Sequence, residues 1–151
     1  MAFAAAVMAL ATNEDVYKTD AINFWNQYGF GTYLNTYSDW GSKHMSLAIV
    51  MARVFGDQKY KQSAQDHCDY WVNTMPKTPK GLVYIADWGS LRHASNAAFG
   101  CFLAADTGIG DVATYKAFAK KQIDYALGST GRSFVVGFGV NPPLSCHHRG
   151  A

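Results

Sequence analysis

Met45-Ser46-Leu47-Ala48-Ile49-Val50-Met51-Ala52-Arg53-Val54-Phe55 is followed by Gly56-Asp57 and then by Gln58-Lys59-Tyr60-Lys61-Gln62-Ser63-Ala64-Gln65-Asp66-His67-Cys68. The first stretch is apolar almost all round, and a helix of that kind must be enclosed by other parts of the protein. Gly-Asp is a break that ends one helix and starts the next. Beyond it, Tyr60, Ala64, Cys68 and Trp71 recur at helical spacing, the pattern of a helix with one face buried and the other in water. The two stretches together read as a hairpin of one buried and one covering helix.

The same unit recurs on both sides. Tyr17-Lys18 leads to Ala21, Tyr60-Lys61 to Ala64 and Tyr115-Lys116 to Ala119, so the motif Tyr-Lys-x-x-Ala follows a polar break each time. An apolar stretch precedes each break: Met1–Leu10, Met45–Phe55 and Ala94–Ala105. In the last covering segment Tyr115, Phe118, Ala119, Gln122, Ile123 and Ala126 share one face, with Gln122 its single polar member. Repetition of a buried and a covering helix predicts an all-α fold with an inner and an outer row, an α/α toroid or solenoid. Leu82-Val83-Tyr84-Ile85 and Phe134-Val135-Val136 are short apolar runs inside loops and form at most small hairpins.

Composition narrows the classes of function. With 49% hydrophobic and 16% charged residues over 151 positions, the chain is long and apolar enough to build a core and is not a disordered tail. A formal net charge of +2 with no Lys/Arg-rich run argues against a nucleic-acid or anionic-membrane surface. No apolar stretch is long enough to span a bilayer. Cys68, Cys101 and Cys146 form neither a disulfide framework nor a zinc-binding spacing. Met1–Ala11 has the apolar centre of a secretion signal, but the first Lys or Arg is Lys18, so it reads as a buried Ala-rich helix. Three hairpins do not close a ring, and an open stack needs polar capping helices; Met1–Leu10 is the opposite, so the chain is expected to be a segment of a larger domain.

Long connections, where sites are usually built on a rigid scaffold, run from Tyr28 to Asp39, from Met75 to Asp87 and from Gly128 to Arg149. The first two end in one tetrapeptide. Asp39-Trp40-Gly41-Ser42 precedes Lys43-His44, and Asp87-Trp88-Gly89-Ser90 precedes Leu91-Arg92-His93. The third ends in His147-His148-Arg149, so His67 alone among the five histidines sits mid-helix, where packing or solvent exposure is the default. Indoles beside cationic and imidazole groups suit a sugar, whose C–H faces stack on aromatic rings and whose hydroxyls pair with fork-shaped or charged donors. The alternative is that Trp40 and Trp88 cap the inner helices as core residues, with Asp39 and Asp87 favouring the helix N-termini. No HExxH, GxSxG or phosphate-binding loop is present, and adjacent His147 and His148 are poorly spaced for one metal.

Ser133-Phe134-Val135-Val136-Gly137-Phe138-Gly139-Val140-Asn141-Pro142-Pro143, followed by His147-His148-Arg149, resembles the active-site histidine signature of family 9 glycoside hydrolases. Asp87-Trp88-Gly89-Ser90-Leu91-Arg92-His93-Ala94 and Thr78-Pro79-Lys80-Gly81-Leu82 are similar to that family's animal endoglucanases. Cys146 departs from the signature, which expects Pro or an aliphatic residue there. The resemblance implies a partial (α/α)6 barrel, with residues 1–151 carrying about three of its six hairpins within a single catalytic domain. It implies hydrolysis of internal β-1,4-glucosidic bonds in cellulose or related β-glucans, with inversion at the anomeric carbon. By that pattern His147 and Arg149 act at the cleavage point, Arg92 lies beside it, Trp40 and Trp88 are stacking platforms, and His93 binds a sugar hydroxyl.

Further expectations follow from the resemblance. The family's acid and base carboxyls have no counterpart in this sequence; Asp66-His67-Cys68-Asp69 has a similar spacing but lies in a covering helix. The segment alone is therefore expected to be inactive. No cofactor is required, no metal site is assigned, and calcium is left open because its ligands map onto no residues here. A β-1,4-glucan is the expected partner, without nucleic acid or membrane, for a monomer that is secreted as the full-length protein. An α/α-toroid sugar isomerase or lyase, and a non-catalytic helical-repeat scaffold, are the alternatives.

Overall fold

A computed structural model describes residues 1–33 and 38–146. Its helices are α1 (Ala2–Thr12), α2 (Asp15–Tyr28), α3 (His44–Phe55), α4 (Gln58–Asp69), α5 (Ser90–Asp106) and α6 (Val112–Leu127). A 3-10 turn (Phe30–Thr32) follows α2, and a π-helical turn (Tyr70–Thr74) extends α4. All three breaks fall where the polar residues predict them. Asp57 and Asp111 cap α4 and α6, their carboxylates accepting the N–H groups of Lys59 and Thr114 at 2.9 and 3.0 Å.

α1 packs on α2, α3 on α4 and α5 on α6, so each apolar stretch pairs with its covering helix. Neighbouring hairpins join through α1 against α3, α3 against α5, and α4 against α5, which places α1, α3 and α5 in an inner row. The Ala of each repeated motif marks the buried line of the covering helix: Ala21, Ala64 and Ala119 are all buried, and a methyl group there lets two helices approach closely. The Tyr of the motif has a second task. Tyr60 meets Trp25 of the preceding hairpin edge-on, with ring centroids 4.9 Å apart, and Tyr115 reaches α4 in the same backward sense.

Among the described residues there is no strand, only one antiparallel bridge between Lys77 and Val83. That arm is docked on α6 by Gln122, which accepts the Val83 N–H at 2.8 Å and donates to the Gly81 carbonyl at 3.2 Å. The one polar residue on the apolar face of α6 thus satisfies backbone groups that would otherwise be buried without partners. His67 is fully buried, which resolves its mid-helix position as packing.

The inner helices are not enclosed on every side. On α5, Ala94, Ala97, Ala98, Cys101, Ala104 and Ala105 are buried, yet Phe99 and Phe102 are exposed. Together with Ile123 of α6 they line an apolar groove of about 360 Å³. Among the described residues no helix lies against that edge.

Candidate functional site

The two Asp-Trp-Gly-Ser tetrapeptides meet at one end of the inner row but fold differently. In the first, Asp39 accepts the N–H groups of Gly41 and Ser42 at 2.7 Å each, while its own N–H donates to the Ser42 carbonyl at 2.9 Å. This closed turn commits the carboxylate to its own backbone. Desolvation pushes its pKa up, but the Ser42 and Gly41 N–H groups, with His93 and Lys43 nearby, outweigh it and hold Asp39 below the usual carboxylate range. In the second, Asp87 instead accepts the hydroxyl of Tyr84, and that bond raises the Tyr84 phenol above its ordinary pKa. Ser90 anchors the start of α5 by donating to the Ala86 carbonyl at 2.7 Å.

Both turns expel their indoles. Trp40 is 89% exposed and Trp88 76% exposed, so neither is a core residue capping an inner helix. Large aromatic surfaces held in water on short turns are suited to stacking on a ligand. Beside Trp40 lies a cleft of about 480 Å³, lined by Asp39 and Lys43 from the first loop, Ser46 from α3, and Arg92, Asn96 and Phe99 from α5. Asn96 stands one helical turn beyond Arg92, and that i, i+4 spacing was the available sign that it shares the same face. It donates to the Ser38 carbonyl at 2.5 Å and so ties the first loop to α5.

Arg92 and His93 open α5 with opposite exposures. Arg92 is exposed, and its guanidinium lies over Gly89, where an added Cβ would stand 3.3 Å from Cζ. His93 is only 3% exposed, and its Nε2 lies 3.0 Å from Arg92 Nη2. A guanidinium has donors only, so Nε2 is the acceptor and the imidazole is neutral. Burial lowers the His93 pKa and Arg92 lowers it further, against a smaller opposing pull from Asp39 and a hydrogen bond to the Trp88 backbone. His93 therefore lies beneath the rim, in contact with Arg92 rather than on the open surface of the cleft. His44 opens α3 against Phe30 and Tyr33, its Nδ1 paired with the Ser42 hydroxyl at 2.9 Å.

The third loop is described as far as Cys146. It folds on itself through Ser133, a buried residue whose N–H donates to the Val140 carbonyl at 2.7 Å. Gly139, with φ +78°, sits where a Cβ would stand 2.5 Å from the Leu127 carbonyl oxygen, so glycine alone fits. Phe134 stacks on Tyr125 with centroids 6.0 Å apart. Gly139 is thus a packing requirement of this loop. Cys146 is exposed; His147 and Arg149 lie outside the described residues. Among the described residues no group of three His, Cys, Asp or Glu side chains gathers to hold a metal ion.

Comparison with known proteins places these features in a family. The model of glycosyl hydrolase family 9 matches residues 1–151. Endoglucanase A of Bacillus pumilus is 35% identical over 94% of this chain and 24% of its own length. Endoglucanase B of Cellulomonas fimi is 38% identical over 74% of this chain and 12% of its own. Among solved structures, the endoglucanase of the termite Nasutitermes takasagoensis superposes with a TM-score of 0.93 and 43% identity, over 98% of this chain and 34% of that one. Endoglucanase CelQ of Clostridium thermocellum, complexed with cellotetraose, superposes with a TM-score of 0.86 and 37% identity, over 98% of this chain and 27% of that one. The chain thus spans at most about a quarter of these curated relatives and a third of these solved chains. Its three hairpins are part of the (α/α)6 barrel fold expected from the sequence.

Proposed function

The chain belongs to glycosyl hydrolase family 9, and from that premise we propose that the whole protein is an endoglucanase cutting internal β-1,4-glucosidic bonds of cellulose or related β-glucans with inversion. The observation that carries the reading is the rim itself. The exposed indole of Trp40 lines a cleft bordered by Arg92 and Asn96, and a second exposed indole, Trp88, stands four residues before Arg92, in a chain that superposes closely on endoglucanases.

In inverting hydrolysis a carboxylic acid protonates the leaving oxygen while a carboxylate on the other face activates water, the two groups standing roughly 6.5–9.5 Å apart. Neither rim carboxylate is free for such work. Asp39 is committed to two backbone N–H groups and Asp87 to the Tyr84 hydroxyl. The rim residues of this chain bind and orient. Trp40 and Trp88 stack on glucose faces, Arg92 and Asn96 donate to hydroxyls, and His147 and Arg149 contact the sugar at the cleavage point. The acid and base come from elsewhere in the whole protein. Proton transfer and water suffice for the reaction, so no cofactor is needed. Cellulose lies outside cells, so the proposed substrate calls for a secreted enzyme, acting as a monomer.

The test is hydrolysis of a soluble cello-oligosaccharide followed by proton NMR. The whole protein is expected to release product first as the α-anomer. Initial β-anomer overturns inversion, and no cleavage of any β-glucan overturns the glucan reading; formation of a 4,5-unsaturated product from a polyuronate offered in its place supports a lyase instead. The 151-residue chain alone is expected to cleave nothing, and turnover above background overturns the assignment of acid and base to other segments.

A further inference from the structure

Arg92 is the one guanidinium in the cleft beside Trp40 among the described residues, and its side chain is held on two sides. Gly89 lies under the guanidinium with nothing but backbone to offer, since a Cβ there would stand 3.3 Å from Cζ. On the other side His93 Nε2 takes a hydrogen bond from Nη2 at 3.0 Å. An arginine left to itself in water samples many rotamers, and ordering it on binding costs affinity. A fixed acceptor beneath it removes that cost before the ligand arrives.

We propose that the buried His93 is a positioning residue: by accepting a hydrogen bond from Arg92 it sets the guanidinium in place for a glucan chain. This rests on the glucan reading of the cleft. His93 is too enclosed to meet the sugar, whereas Arg92 is open to it. The same imidazole lies in the field of Asp39, so the closed turn of the first loop bears on it as well. Among the described residues the charged groups facing it are Arg92 from its own helix and Asp39 from the first loop. Protonation turns Nε2 from acceptor into donor and sets a cation 3.0 Å from the guanidinium, which breaks the pair. Burial and Arg92 hold the His93 pKa below 6.5, so the break occurs on the acid side of that value.

The test combines binding and ring-nitrogen NMR on the whole protein, with cellotetraose as the probe. Wild-type nitrogen shifts are expected to show a neutral His93 protonated on Nδ1 at pH 7, and cellotetraose binding is expected to weaken as His93 titrates. His93→Phe keeps a ring but loses the acceptor, and is expected to bind roughly tenfold more weakly than wild type at pH 7, the gap closing as wild-type His93 titrates. His93→Gln restores an uncharged acceptor, and is expected to recover most of the affinity while flattening the acid limb. A charged or Nε2-protonated His93 at pH 7 overturns the proposal, as does His93→Phe binding like wild type in a folded protein. If His93→Phe does not fold, the pH profile of His93→Gln decides alone, and an unchanged acid limb overturns the proposal. Failure of the wild type to bind cellotetraose at any pH overturns the glucan reading, and the nitrogen shifts still report on the His93–Arg92 pair.

Discussion

The hydroxyl of Tyr115 on α6 donates to Asp69 Oδ1 on α4 across 2.6 Å, joining the covering helices of two successive hairpins. Burial, reinforced by the carboxylate that accepts its proton, pushes the Tyr115 phenol well above its ordinary pKa. Tyr115→Phe keeps the ring and removes this bond, so it is expected to destabilise the fold by about 1–3 kcal/mol. Urea unfolding of wild type and variant checks it, and an unchanged midpoint removes the bond from the account of how hairpins stack.

Trp40 and Trp88 are expected to separate stability from binding. Both are largely exposed, so Trp40→Ala and Trp88→Ala should alter stability by no more than about 0.5 kcal/mol. As stacking anchors, each should weaken cellotetraose binding by about fivefold or more. Isothermal titration beside thermal unfolding distinguishes this outcome from a packing role, in which stability falls and affinity for the sugar holds.

The two identical tetrapeptides should answer differently to the same substitution. Asp39→Ala opens a turn closed by two 2.7 Å bonds, and is expected to lower Tm and loosen the cleft wall. Asp87→Ala removes an acceptor from the Tyr84 hydroxyl without opening a comparable turn, and should lower Tm less. Equal shifts would contradict the difference in their geometry.

Acid should destabilise the fold in two stages. Burial lowers the pKa of His44, and burial together with Arg92 lowers that of His93, so the folded state prefers both rings neutral. Below pH 6.5 the unfolded chain binds protons that the folded one does not, and stability falls until the folded-state pKa values are passed. Asp39, held below 3.8 in the fold, adds a second decline at lower pH. Denaturation midpoints measured against pH should show both limbs, and His93→Gln should shrink the first.

His147→Ala in the whole protein is expected to lower hydrolysis of cello-oligosaccharides by at least about a hundredfold while leaving the circular dichroism spectrum intact. Activity equal to wild type would remove His147 from the cleavage point.

The hairpin repeat was legible because its signals are local. Polar breaks, capping aspartates and the spacing of Tyr60, Ala64, Cys68 and Trp71 act within a few residues of chain, and each helix begins and ends close to where they place it. The family, too, could be read from the order of residues in the third loop and in the second tetrapeptide. The sequence by itself therefore determined the all-α hairpins and the family to which they belong. Only the tertiary structure decided what each rim residue does there. Asp39 and Asp87 share one tetrapeptide, yet one finds its own turn N–H groups and the other finds Tyr84. Arg92 and His93 are neighbours, yet one faces water and the other is sealed beneath it. Burial and hydrogen-bond partners depend on which distant segments arrive at a position, and no local pattern carries that information.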